Sequence, residues 1–99
     1  MLELLQKFSS SSLKIFLSNG YSLELLFIIV DNQNQKKNMG MDDIYFSIVS
    51  AKPKRSTFDK FIKRLIETNV LCKTNLFDKR KVGLALSEEH YKEFIHLVN

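Results

Sequence analysis

The strongest constraint on this chain is a spacing. Phe58, Phe61, Ile62, Leu65 and Ile66 recur at offsets of 3, 4, 7 and 8 residues, with Asp59, Lys60, Lys63, Arg64 and Glu67 on the complementary positions. That recurrence marks one apolar face of an α-helix. Ser56 and Thr57 stand just before its first member, and Asn69 stands where the helix should end. Asparagine there takes the place usually filled by glycine, being the next best residue for the left-handed conformation that closes a helix. The apolar face requires a core, and 99 residues support a single one, so residues 1–99 are read as one domain. With 44% apolar residues the chain is neither a disordered tail nor, having Cys72 alone, a disulfide scaffold. A lone cysteine favours a reducing compartment.

The flanking segments fill in the order of elements. Leu2, Leu4, Leu5 and Phe8, with Glu3, Gln6 and Lys7 polar, predict a short amphipathic helix. Ser9 to Ser12 interrupt it, and Ser12 is suited to cap a further turn or two through Leu13, Ile15, Phe16 and Leu17. Asn19-Gly20 predicts a left-handed stop, with a hairpin turn as the alternative. From Ser22 to Asn32 the apolar residues cover most of a helical circumference. Ile28, Ile29 and Val30 would suit a strand, but the absence of alternation predicts a helix central to the core. Asn32 to Gly40 reads as a polar loop. Asp42 and Asp43 then complement the dipole of a short helix whose apolar face is Ile44, Tyr45, Ile48 and Val49. Pro53 ends that helix by biasing Lys52 away from helical backbone. Val70, Leu71 and Cys72, with Val82 to Leu86, predict two strands of a hairpin joined by the polar stretch Lys73 to Lys81. Ser87, Glu88 and Glu89 open a last helix with Tyr91, Phe94, Ile95 and Val98 on its apolar face. The fold class is α+β, mainly α.

Charge is distributed unevenly along this order. Residues 1–50 hold four lysines and five acids, whereas residues 51–99 hold eleven bases and six acids. Between Lys52 and Lys81 ten bases face Asp59, Glu67 and Asp78, so one segment carries more than the whole formal surplus of +4. A solvated face is the plain reading of such a cluster and a nucleic-acid surface the functional one.

Helix, loop, short helix, turn, basic amphipathic helix, hairpin and helix is the order of a winged helix-turn-helix domain with a two-stranded β-hairpin wing. The segment Arg55 to Lys73 (RSTFDKFIKRLIETNVLCK) resembles the recognition helix leading into the first wing strand of the MarR-type winged-helix family of bacterial DNA-binding regulators. Asp78 to Ser87 (DKRKVGLALS) resembles that family's wing, with its Asp-x-Arg tip and a Leu-Ser where the family has Leu-Thr. The two segments cover about a third of the chain. The glycine usual soon afterwards is replaced in the region of His90 and Tyr91.

The resemblance implies a recognition helix at about residues 55–68 in the major groove and a basic wing at about 73–82 on the flanking groove or backbone. On this mapping Arg55, Ser56, Thr57, Asp59 and Lys60 face base edges: arginine can donate two bonds to guanine, and hydroxyls can meet bases or phosphates. Asp59 repels phosphate, so it is expected to read a cytosine amine or to pair with Lys63 four residues on. The competing account is that Ser56 or Thr57 caps the helix and the lysines are solvated. At the wing tip Lys79, Arg80 and Lys81 are the expected phosphate or minor-groove probes, with Arg80 also able to brace the wing through Asp78. Lys52, Lys54, Lys63 and Lys73 would add non-specific affinity.

Enzymatic readings find little support. His90 and His96 are six apart, not the four that would align both on a metal, and Cys72 reads as a buried thiol. A redox-sensing Cys72 is the alternative if it is exposed, since Lys73 adjoins it. There is no glycine-rich phosphate loop, no Ser-His-Asp set and no pair of catalytic carboxylates, so no enzyme and no cofactor is expected. The longest apolar run, Leu25 to Val30, falls far short of the about 20 residues a membrane span needs. With no secretory signal at Met1 to Phe8, a cytoplasmic, nucleoid-associated protein is expected. The expected partner is double-stranded DNA, bound by a homodimer acting as a transcription regulator. The alternatives are a plasmid- or phage-type centromere-binding partition adaptor, or a winged-helix protein-interaction module in which Phe58, Phe61 and the terminal helices dock a partner.

Overall fold

A computed structural model describes residues 2–37, 39–74 and 83–98. In chain order they form α1 (Leu2–Ser9), a 3₁₀ helix (Ser12–Leu17), α2 (Ser22–Asn34), α3 (Met41–Ser47), α4 (Arg55–Glu67), β1 (Leu71–Thr74), β2 (Gly83–Leu86) and α5 (Glu88–Val98). The architecture is α+β and mainly helical. The strands pair antiparallel, from Leu71 opposite Leu86 to Thr74 opposite Gly83.

Helix α2 is the centre, as its lack of alternation predicts. Leu25, Leu26 and Ile29 are fully buried and Val30 nearly so, and the helix packs against the 3₁₀ helix, α3 and β2. Each such side chain contributes about 1.5–3 kcal/mol by leaving water. The buried Ser22 hydroxyl is satisfied, donating 2.5 Å to the Phe16 carbonyl. At the edge of this core Phe94 of α5 meets Phe8 of α1 and Phe27 of α2, with ring centroids 6.1 and 5.8 Å apart. The Glu93 carboxylate holds α5 to the 3₁₀ helix by accepting from the Ser12 amide at 2.9 Å and its hydroxyl at 2.6 Å. The side-chain cap of the 3₁₀ helix is Ser11 rather than Ser12, accepting from the Leu13 amide.

Both long internal helices close in the same way. Asn69 takes φ 61° after α4, with the Val70 amide donating to the Leu65 carbonyl and the Asn69 amide to that of Ile66. Lys36 takes φ 57° after α2 with the equivalent pair of bonds. This is a Schellman closure, and in α4 the two positions that carry its usual apolar contact, Val70 and Leu65, are both buried in the core. The expected left-handed stop at Asn19-Gly20 is absent: no glycine takes a positive φ. Asn19 instead accepts from the Tyr21 amide through its side chain. Gly20 has a different reason to be small, since a Cβ there would sit 3.0 Å from the Ala51 Cβ.

Three expectations about burial change. Val49 is 87% exposed, because α3 ends at Ser47 and Ile48 is extended at φ −70° and ψ 123°, so the helical phase does not reach it. Cys72 is exposed, because in a four-residue strand it alternates with buried Leu71 and points away from the core. Phe58 and Phe61 are buried, which removes them as docking residues for a protein partner. No helix among the described residues is long and apolar enough to cross a membrane. Replacing Asn69 tests the closure of α4: Asn69→Ala is expected to cost roughly 1 kcal/mol in denaturant unfolding, the left-handed penalty of a Cβ-bearing residue, whereas Asn69→Gly is expected to cost nothing.

Candidate nucleic-acid interface

The basic face is organised by the joint between α3 and α4. Residues 48–54 connect the two helices, and one acid from α2 secures them. Glu24 accepts from the amides of Val49 and Ser50 at 3.1 Å each and from the Ser50 hydroxyl at 3.0 Å. These bonds, led by that of Val49, hold its carboxyl below the usual carboxylate range. Ala51 lies in the left-handed region at φ 48°, against Gly20. Further along, the Tyr45 hydroxyl donates to the Pro53 carbonyl at 2.7 Å.

Arg55, the first residue of α4, is committed to this joint. Its guanidinium contacts Asp42 of α3 at 2.7 Å and Asp59, one turn on, at 2.8 Å. The carbon at its centre lies 5.4 Å from the Tyr45 ring centroid and 5.9 Å from that of Phe58. Hydrogen bonding to Asp59, then to Asp42, keeps the guanidinium pKa above its ordinary value. The expected pairing of Asp59 with Lys63 is therefore replaced by a pairing with Arg55, and Lys63 lies 3.9 Å from Glu67 instead. Exposed ion pairs contribute little individually. Here two carboxylates and two rings engage one side chain.

With Arg55 so occupied, the outward face of α4 belongs to other residues. Ser56, Thr57, Lys60, Lys63 and Arg64 are all exposed. The cap position falls on Lys54, extended at φ −62° and ψ 149° and making no side-chain cap bond. Ser56 and Thr57 thus do not cap the helix as one account expected, and both lie in its first turn with free access to solvent. Among the described residues Lys54, Lys60, Arg64 and Lys73 have no ion-pair partner within 4 Å. Lys73 on β1 lines an open groove of about 330 Å³ with Lys63, Asp59, Glu67, Ile62 and Met41, so α4 and the sheet share one surface that carries two cations and two acids. On its other flank Arg64 shares a groove of about 470 Å³ with Lys14 of the 3₁₀ helix. Neither Arg64 nor Lys14 stood out in sequence: Arg64 was one more charge on a polar face, and Lys14 lies 50 positions away in the nearly neutral half. Lys79, Arg80 and Lys81, with Asp78, lie outside the described residues.

No protein family, curated protein or solved structure matches this chain. Among the described residues no cluster of His, Cys, Asp and Glu could hold a metal ion. His90 is half-buried with Nδ1 2.6 Å from the Ser87 hydroxyl, and His96 is exposed.

The Glu24 brace has a pH signature. A carboxyl whose folded pKa is depressed stabilises the fold at pH values above its unfolded pKa, and that contribution is lost as pH falls through the folded value. Glu24→Gln is expected to lower stability at neutral pH by on the order of 1 kcal/mol, in keeping with hydrogen bonds to a surface charge. Below the ordinary carboxyl value of 4.5 the stabilities of parent and variant should converge. Unfolding curves of both proteins between neutral and acid pH measure this, and a constant difference across the range would assign the brace no electrostatic part.

Proposed function

We propose that this protein is a winged helix-turn-helix, sequence-specific binder of double-stranded DNA, with α3 and α4 as the helix-turn-helix, α4 in the major groove and the β1-β2 hairpin as the wing. The observation that carries this reading is the exposed, partner-free row of hydroxyls and cations along α4 and onto β1: Ser56, Thr57, Lys60, Arg64 and Lys73. Residues in the first turn of such a helix meet base edges and their neighbours hold phosphates. The geometry alters the division of labour expected from sequence. Arg55, held by Asp42 and Asp59, acts as the strut that aims α4, while Ser56, Thr57 and Lys60 face the bases. Lys54, Lys63, Arg64 and Lys73 neutralise phosphates.

A homodimer fits this reading, because two recognition helices on an inverted repeat supply specificity that one small module lacks. Leu2 of α1, Phe27 of α2 and Val98 of α5 leave 69%, 41% and 40% of their surfaces exposed. They support a contact between two copies through the terminal helices, and a transcription regulator is the role such a dimer serves.

Binding to genomic fragments across a salt series tests the reading. Arg64→Ala is expected to weaken binding and to reduce the slope of log affinity against log salt by about 0.9, the counterion release of one phosphate contact. Asp42→Asn is expected to weaken binding while leaving that slope unchanged, because it loosens the strut that aims α4 and removes no phosphate contact. A parent protein without DNA affinity at low salt would overturn the proposal. Light scattering at tens of micromolar should give twice the monomer mass of 11.6 kDa.

A further inference from the structure

Phe46 and Val49 are the two most exposed large apolar residues among those described, at 70% and 87%. Phe46 stands just before the joint that precedes α4 and Val49 within it. Asp42, Tyr45 and Phe46 are spaced three and four residues apart and so share one stripe of α3. The first two members of that stripe touch Arg55 in the first turn of α4. Phe46 is thereby on the side of α3 that borders the entrance of α4, whereas Ile44 and Ile48 turn into the core. The Lys52 ammonium lies 5.0 Å from the Tyr45 ring centroid and 5.4 Å from that of Phe46, and the two rings stand edge to face at 5.7 Å. The Phe46 ring is thus held in place by a cation and a neighbouring ring while most of its surface stays open.

We propose that Phe46, with Val49 three residues on, makes apolar contact with thymine methyl groups in the major groove and so selects T·A over C·G pairs at the edge of the site read by α4. This deepens the DNA-binding reading above and rests on it. The thymine C5-methyl is the apolar group that a base pair offers in the major groove, and phenylalanine is among the side chains that meet it. The charge around the patch favours a duplex over a protein as occupant. The acids at the patch are engaged, Asp42 with Arg55 and Glu24 with the amides of Val49 and Ser50, and the exposed Lys52 ammonium over the Phe46 ring is complementary to phosphates, whereas the core of a protein interface is depleted of charge.

The test starts from duplexes that the parent protein selects from a random pool. Each thymine of the selected site is replaced in turn by deoxyuridine, which lacks only the C5-methyl. At one or more positions the parent is expected to bind about fourfold more weakly, the loss of one buried methyl group. Phe46→Ala is expected to bind the thymine and uracil sites alike, and Val49→Ser provides the same comparison for its neighbour. Circular dichroism checks that the variants keep the parent's helix content, as the exposure of both side chains requires. If the duplex is bound but no uracil replacement matters, or if both variants keep the parent's discrimination, the thymine contact is overturned and the DNA-binding reading stands. If the parent selects no duplex, the DNA-binding reading itself fails and the thymine contact falls with it.

Discussion

Helix α2 is the element on which the others depend, and it does more than fill the core. Its central residues Leu25, Leu26 and Ile29 supply burial, while polar side chains near its two ends reach different parts of the molecule. In the first turn Glu24 takes the two amides of the α3-α4 joint. Near the other end Gln33 accepts from the Leu86 amide at 3.0 Å, and Asn34 accepts from the Tyr91 hydroxyl. One helix therefore fixes the joint, the sheet and α5 relative to a single axis. Short helices such as α1 and α3 are marginal alone, and they hold because α2 and its neighbours give their apolar faces something to cover.

What was legible in the sequence follows from how local each determinant is. The α4 span was legible because both its apolar period and its closing asparagine are local, and Asn69 adopts the left-handed backbone that its type suggests. The mainly helical class and the antiparallel strand pair were legible for the same reason. Exposure at element ends was not. Val49 falls on the apolar face only if the helical period is carried past the point where Ile48 leaves helical backbone, and Cys72 belongs to an apolar run in the sequence although Leu71 is the one fully buried residue of β1. Gly20 lies in a turn as its type suggests, but without a positive φ, and its smallness answers the approach of Ala51, 31 positions on. A non-local contact of that kind leaves no mark in a single sequence.

The same limit applies to the basic surface. Sequence places ten bases between Lys52 and Lys81, but it cannot tell which are already spent. Arg55 had the residue type and position of a base reader, and its fate is decided by Asp42, thirteen residues upstream and one helix away. Asp59, an awkward acid on a basic face, is explained once Arg55 is seen to need it. Conversely Lys14 and Arg64 come to share one groove only through the packing of the 3₁₀ helix beside α4. Charge counting located the face, and the fold reassigns roles within it.

The reassignment bears on how such a face would recognise DNA. A guanidinium free to sample many rotamers loses entropy on binding, and a helix free to rock on its joint loses more. Arg55 forgoes a contact of its own and in return couples the first turn of α4 to α3 through Asp42, while Glu24 and the Tyr45 bond to Pro53 hold the chain between them. Each of these surface contacts is worth little in stability. Their value in the DNA-binding reading is geometric: they present Ser56, Thr57 and Lys60 in one orientation before any duplex arrives, so that less of the binding free energy is consumed in ordering the reader. An arginine that looks misplaced as a base contact is then well placed as the part that makes its neighbours' contacts reproducible.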